Sequence, residues 1–434
     1  MEKSPERKRN KEKLIEPRLP GGFRDALPED MISKQAMIDT IRGIFERFGF
    51  EQMETPAVER TEILVGGEAE SSKIIFNVKS SEENWESSDT SLRFDLTVPL
   101  ARVLAANPEI PKPFKRYQIG KVWRGERQQA GRYREFLQMD VDIIGVRSLD
   151  ADAEIVQVMY ETMKALNVGN FTMRLNNKRE VLKTLEEFGV AERARIPTLI
   201  AIDKKDKLSP AEWEAEVAKE SGLSTDALKK YLWQISGENT LEGSEVKTLR
   251  EKAEALGVPQ SYLIYDASLV RGLGYYTGSI FEVILTDLPS GGSVFGGGRF
   301  DGLTSRFSTE ALPAVGVSCG VDRLYAALEN LGKIKKQPTS TKVLIFNLSP
   351  DLAKEYAEFA KTLRDAGTNT AMYLGDDKAF QAQLSYAVKK DIPFALIYGD
   401  KEKLTGKISI KNLRNETQEE IPPDDLVSYI KDKI

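Results

Sequence analysis

The chain has 434 residues, 41% of them apolar and 30% charged, with a formal net charge of −5, one cysteine and no histidine. That length supports two or three domains around a sizeable core, and the composition is that of a soluble globular protein. The single cysteine, Cys319, excludes an internal disulfide and a cysteine-based metal cluster, and the lack of histidine excludes Ser–His–Asp and Cys–His catalysis and histidine-ligated zinc.

Residues 1–18 hold seven basic and four acidic groups and no apolar core. They read as a solvated tail, neither a secretory signal nor an acid-poor transit peptide. No apolar run approaches the roughly 18 residues of a membrane span, and one cysteine suits a reducing cytoplasm. A turn-rich lead-in, Pro20 to Met31, precedes a helix from about Ser33 to Phe48, with Met37, Ile41, Ile44, Phe45 and Phe48 at helical spacing. Phe50 to Val58 reads as a strand, with Pro56 demanding an edge or a bulge. Ser91 to Asn107 passes from strand to helix, residues 150–166 form an amphipathic helix, and Phe171 to Leu175 a strand. From about 180 to 258 the chain is helical and highly charged, a composition suggesting an inserted subdomain. Strands resume at Leu263 and over Ser279 to Leu285, and a helix covers Gly320 to Asn330. The segment 331–340, LGKIKKQPTS, reads as a linker. Beyond it, strands at Val343 to Leu348, Thr370 to Tyr373 and PFALIYG alternate with helices. Leu352, Tyr356, Phe359, Ala360 and Leu363 share one helix face. This pattern predicts a small, mainly parallel sheet with helices packed on it, over 341–434.

The most informative stretch is Lys115 to Val146. Lys115 to Arg134 carries seven Lys or Arg and a single acid, Glu126. Phe136 to Ile144 then alternates, setting Gln138, Asp140 and Asp142 on one strand face. A guanidinium fork grips phosphate oxygens bidentately, whereas carboxylates and an amide suit a small cationic or hydrogen-bonding substrate. Together they suggest a nucleotide held beside an amino acid.

Here the residues resemble a family. RGERQQAGRYREF (Arg124 to Phe136) is similar to motif 2 of class II aminoacyl-tRNA synthetases, in the form found in histidyl-tRNA synthetases. LVRGLGYYTGSIFE (Leu269 to Glu282) resembles their histidine-specific L-V-R-G-L-D-Y-Y-T-G motif. GGGRFDGL (Gly296 to Leu303) and GVSCGVDRL (Gly316 to Leu324) match a further motif and motif 3. The likeness runs in order from about Gly21 to the C-terminus. It implies an α+β catalytic domain over 19–330, built on an antiparallel sheet with helices and interrupted by the helical insertion, then an α/β anticodon-binding domain. The helix–strand–Pro unit near residue 50 resembles motif 1, which implies a homodimer.

The resemblance also implies roles. Arg124 and Arg271 would be the catalytic pair, flanking the α-phosphate of ATP, while Arg132 and Arg323 bind the outer phosphates. Phe136 would stack on adenine and Glu126 contact its amino group. Asp95, Thr97 and Gln138 would take the α-ammonium of L-histidine, and Asp142 and Tyr276, with Tyr275 beside it, the imidazole. Arg127 and Gln129 would meet the acceptor end of histidine tRNA. ATP and Mg²⁺ are the implied cofactors, the metal being carried by ATP rather than by a side-chain cluster. The implied reaction is activation of histidine to its adenylate, followed by transfer to the 3′ end of the tRNA. An enzyme that charges histidine would thus itself contain none. Gly274 departs from the family's usual Asp, Gln128 from Pro and Phe300 from Tyr. Alternative readings are a regulatory paralogue of histidine biosynthesis, which tends to lose motif arginines and the C-terminal domain, and a pseudo-synthetase that senses uncharged tRNA.

Overall fold

The computed structural model describes residues 15–66, 74–79, 89–126, 133–236, 244–270 and 276–433. The chain divides into two units: Met1–Asp25 with Ile38–Lys333, and Ala26–Met37 with Ile334–Ile434. The first helix, α1 (Pro28–Arg47), crosses that division and starts earlier than its apolar spacing predicts, because Pro28 suits a helix start, followed by Glu29 and Asp30 in the first turn.

The first unit continues with β1 (Glu51–Gln52), β2 (Val58–Arg60), α2 (Thr61–Val65), β3 (Phe76–Val78) and β4 (Thr90–Leu92). Next come α3 (Thr97–Ala106), β5 (Phe114–Trp123), β6 (Glu135–Ile144), α4 (Leu149–Ala165) and β7 (Phe171–Asn177). Five helices follow: α5 (Lys178–Glu187), α6 (Glu192–Ile202), α7 (Pro210–Ser221), α8 (Thr225–Ser236) and α9 (Glu245–Ala255). The unit closes with β8 (Leu263–Tyr265), β9 (Ser279–Leu285), β10 (Ser293–Arg299), β11 (Ala314–Gly320) and α10 (Val321–Asn330).

Eight strands form its main sheet in the order β1-β5-β6-β11-β10-β9-β7-β8. The six inner strands pair antiparallel, and the short edge strands β1 and β8 pair parallel. The strand expected over Phe50 to Val58 is split. β1 joins β5 of the main sheet, whereas β2 pairs with β4 in a separate three-stranded sheet. Pro56, which has no N–H to give a ladder, lies in the break.

Caps and apolar stripes account for the helices. Ser148 accepts from Asp150 N to start α4, whose residues Ile155, Val156, Met159 and Met163 are all fully buried. Ser209 and Glu212 form a capping box at α7. The helices α5–α8 enclose a core of their own, with Leu185, Ile202, Trp213, Val217 and Tyr231 at its centre.

The second unit holds β12 (Val343–Ile345), α11 (Ala353–Asp365), β13 (Thr370–Met372), α12 (Phe380–Lys389) and β14 (Phe394–Ile397). After them come α13 (Asp400–Thr405), β15 (Ile408–Asn412), β16 (Gln418–Ile421) and α14 (Leu426–Lys433). Its sheet runs β13-β12-β14-β15-β16. Only the first three strands are mutually parallel; β15 and β16 add an antiparallel hairpin, so the sheet is mixed rather than mainly parallel. The hairpin escapes a periodicity reading because Gln418–Ile421 exposes three of its four residues.

Candidate active site

The site begins with strand register. β5 and β6 pair so that Arg116 faces Asp142, Gln118 faces Asp140 and Gly120 faces Gln138. On the other side of β6, β11 sets Gly316, Ser318 and Gly320 opposite the same three residues. Since strand side chains alternate, these rows share one face. β6 is buried on both faces from Gln138 onward. Its polar side therefore looks not into solvent but into a cavity of about 500 Å³. Glycine makes the room: a Cβ at Gly316 would lie 2.0 Å from Asp142 Oδ1, and one at Gly298 would lie 3.1 Å from the Tyr276 ring.

Nine of the residues singled out from the sequence line this cavity: Asp95, Thr97, Arg124, Glu126, Phe136, Gln138, Asp142, Tyr276 and Arg323. Arg124 donates from Nε to Phe94 O at 3.0 Å, and its guanidinium lies 5.2 Å from the Phe136 ring centroid. That leaves its terminal nitrogens for an anion beside an aromatic platform. Arg323, in the first turn of α10, donates to Ser293 O at 2.8 Å. Asp95, just before α3, accepts from Val98 N at 3.1 Å. Arg127, Gln129, Arg132, Arg271 and Tyr275 lie outside the described residues.

The floor is acidic and buried. Asp95, Asp140 and Asp142 are each no more than 3% exposed. Burial pushes the Asp95 carboxyl up to about 6, with the Val98 N–H and Arg124 opposing it. Burial likewise raises Asp142 to about 7 against the pull of Arg116, and raises Asp140. Arg116, fully buried, lies 2.8 Å from Asp142 Oδ2. The contact is an ion pair without hydrogen-bond alignment, because Arg116 Nε and Asp142 Oδ2 make no hydrogen bond. Its Nη2 donates instead to Leu96 O at 3.3 Å.

Several contributors are not apparent from motifs. Glu282, on β9, falls in the same sheet row as Asp140, Ser318 and Gly296. Asp203 and Lys207, at the end of α6 and just after it, bring the helical insertion to the cavity wall. Asp322 accepts from Leu137 N at 2.6 Å and from Arg24 at 2.7 Å, and Arg24 in turn covers the Tyr133 ring at 4.1 Å. Arg299 of the Gly-rich motif is structural: it ion-pairs with buried Asp152 and donates to Val146 O at 2.9 Å, tying β10 to α4. Among the described residues no three acidic or cysteine side chains converge on a metal-sized site. A magnesium ion arriving on ATP phosphates fits this donor set, since Mg²⁺ keeps most of its waters and takes one or two carboxylates at most.

The cavity thus brings cations and an aromatic face together with buried acids, an arrangement for a polyphosphate beside an amino acid. Sequence comparison agrees. A family profile described as histidyl-tRNA synthetase matches residues 22–324, and one described as anticodon binding domain matches 342–433. The chain is 37% identical to the histidine–tRNA ligase of Gloeobacter violaceus, covering 93% of this chain and 96% of that one. It is 37% identical to the histidine–tRNA ligase of Stenotrophomonas maltophilia, covering 96% and 98%. The crystal structure of histidyl-tRNA synthetase from a Nostoc species superposes with a TM-score of 0.86 at 30% identity, covering 97% of this chain and all of the other. With a matching profile over most of the chain and relatives matched nearly end to end, the chain belongs to the histidyl-tRNA synthetase family.

Proposed function

We propose that this chain activates L-histidine with ATP and transfers it to histidine tRNA. The observation that carries this reading is the single cavity in which Arg124, Phe136 and Arg323 meet Asp95, Gln138, Asp142 and Tyr276. In the first step the histidine carboxylate attacks the α-phosphorus in line. A carboxyl O–P bond forms, the bridging P–O bond to the β-phosphate breaks, and pyrophosphate leaves. Such transfer needs positioning and charge neutralisation more than covalent help. Arg124 holds the α-phosphate and reacting carboxylate, with Arg271 opposite. Arg323 and Arg132 take the outer phosphates, Phe136 stacks on adenine and Glu126 meets its amino group. Bound Mg²⁺ would neutralise phosphate charge.

Asp95, Thr97 and Gln138 receive the α-ammonium. Asp142 and Tyr276 bracket the ring, with Tyr275 adjoining. A neutral imidazole has one N–H and one bare nitrogen, so a carboxylate on one side and a phenol on the other satisfy it. In the second step a terminal ribose hydroxyl attacks the carbonyl and AMP leaves. No protein imidazole exists to take the proton, and a phosphate oxygen of the adenylate is the acceptor we favour. Arg127 and Gln129 would meet the tRNA acceptor end, and residues 341–434 its anticodon. We further propose a cytoplasmic homodimer with no membrane association; no helix among the described residues is long and apolar enough to cross a membrane. The regulatory paralogue tends to lack a C-terminal domain, whereas residues 342–433 match the anticodon-binding profile here.

Pyrophosphate exchange with ATP, Mg²⁺ and each of the twenty amino acids in turn tests this reading. Exchange with histidine alone is expected; none with any amino acid would overturn it.

A further inference from the structure

We propose that Asp140 is a substrate-binding residue, the acceptor that completes a cage for the α-ammonium group, positioned by Ser318 and Arg116. This rests on the histidine-binding reading above and adds a residue to it. Asp140 is 2% exposed, Gln138 is 8% exposed, and both line the cavity. They are two residues apart on one strand face, and register places Ser318 opposite Asp140 on β11. Gln138 Nε2 donates to Ser318 Oγ, and Ser318 favours the ionised Asp140 carboxyl against the burial that raises it.

The geometry orients all three groups. An amide nitrogen can only donate, so Ser318 accepts from Gln138 and its own proton stays available to Asp140 across the strand pair. That contact turns the amide nitrogen toward Ser318 and the amide oxygen away. What remains is Gln138 Oε1 and Asp140 Oδ1, both buried and both without a hydrogen-bond partner. Two buried acceptors without a partner, on side chains that line the cavity, call for a ligand rich in donors, since an unpaired buried polar atom is costly. Asp95, the third acid of the floor, interacts electrostatically with Asp140. An ammonium group has three N–H donors and carries charge, which matches Asp95, Gln138 and Asp140.

Charge accounts for Arg116. Three buried carboxylates in one cavity repel one another, as Asp142 feels both Asp140 and Asp95. Arg116 acts on Asp140 and Asp142 together and holds them against the penalty of burial. Being fully buried and absent from the cavity lining, it acts through the carboxylates rather than on the substrate.

The test uses a matched ligand pair: the amino alcohol corresponding to histidine, and the same alcohol without its amine. Both keep the imidazole and lack the carboxylate. Binding is measured by calorimetry to the full-length protein and to Asp140→Asn and Asp140→Ser. Loss of a charged hydrogen bond should weaken the amino alcohol by about 10–10²-fold. The deaminated alcohol should bind as it does to the unaltered protein, and KM for histidine in exchange should rise more than kcat falls. Equal loss for both ligands, or loss for neither, would overturn the proposal. If neither variant folds, the structure of the unaltered protein with L-histidine decides. Asp140 Oδ1 within hydrogen-bond reach of the ammonium supports the inference, and a carboxylate turned away from it rejects it. An unaltered protein that binds no histidine would defeat the wider reading instead.

Discussion

The two large sheets of this protein use their faces in opposite ways. In the second unit both faces of the five-stranded sheet are apolar: Val343, Ile345 and Leu396 pack with Leu352, Tyr356, Leu363 and Ile430 on one side, and Leu344, Phe346 and Ala395 pack with Ala387 on the other. In the first unit, β6 buries Met139, Val141 and Ile143 on one face and Gln138, Asp140 and Asp142 on the other. The sheet of the second unit is optimised for packing. That of the first unit accepts buried charge, unpartnered acceptors and glycine gaps, features that reduce stability unless a ligand answers them. Mutations should therefore separate into those that remove stability and those that remove chemistry.

The largest expected effect comes from breaking both at once. Asp142→Ala removes the carboxylate 2.8 Å from buried Arg116, and loss of one partner of a buried pair destabilises by about 3–5 kcal/mol. Denaturant unfolding should show this, and histidine-dependent exchange should fall as well. A variant of unchanged stability would mean that Leu96 O and Asp140 suffice for Arg116.

Arg124→Ala should affect only chemistry. Removing one donor to a developing charge lowers the rate by about 10²–10³-fold. Steady-state exchange should show that loss while the melting temperature changes little. In the second unit, Leu363→Ala should do the reverse. Leu363 is fully buried in the α11 contact with the sheet, and truncation of a buried Leu costs about 2–5 kcal/mol. Histidine-dependent exchange per folded molecule should be unaltered; a matching fall in exchange would break the contrast between the units.

The smallest effect is in pH. Asp95 and Asp142 have folded-state values of about 6 and 7, raised by burial above the 3.8 of a free carboxyl. The folded protein therefore binds more protons than the unfolded chain between those values. Their contribution to stability falls as pH rises through that window. The groups facing them are Arg116, Arg124 and Asp140. A bound ammonium would offset the carboxylate charge, so histidine should raise the melting temperature more at about pH 8 than at about pH 5. The substrate ring also titrates near 6.5. Repeating the measurement with Asp95→Asn tests the carboxyl contribution, since the ring is common to both. An identical pH response in the variant would exclude Asp95 as its source.

Much of this was legible in the chain. Apolar spacing located α4 and α11, because helix signals lie within a few residues of one another. The period of two along residues 136–144 put Gln138, Asp140 and Asp142 on one face, and motif likeness singled out Arg124, Phe136 and Arg323. Pro56 marked an interruption, but the different sheets joined on its two sides and the β15–β16 hairpin were not legible: the first depends on distant strands, and the second exposes most of one strand.

What the sequence determined by itself was the set of local elements and the face on which each polar residue stands, because both follow from backbone geometry and side-chain spacing. Tertiary structure alone decided that the polar face of β6 is buried rather than wet. It also decided that Arg116, distant in sequence, pairs with Asp142, and that Gly316 leaves room for that carboxylate. It brought Asp95, Tyr276 and Arg323 to one cavity. Register between strands and the closing of a cavity depend on many distant residues at once, and no local pattern encodes them.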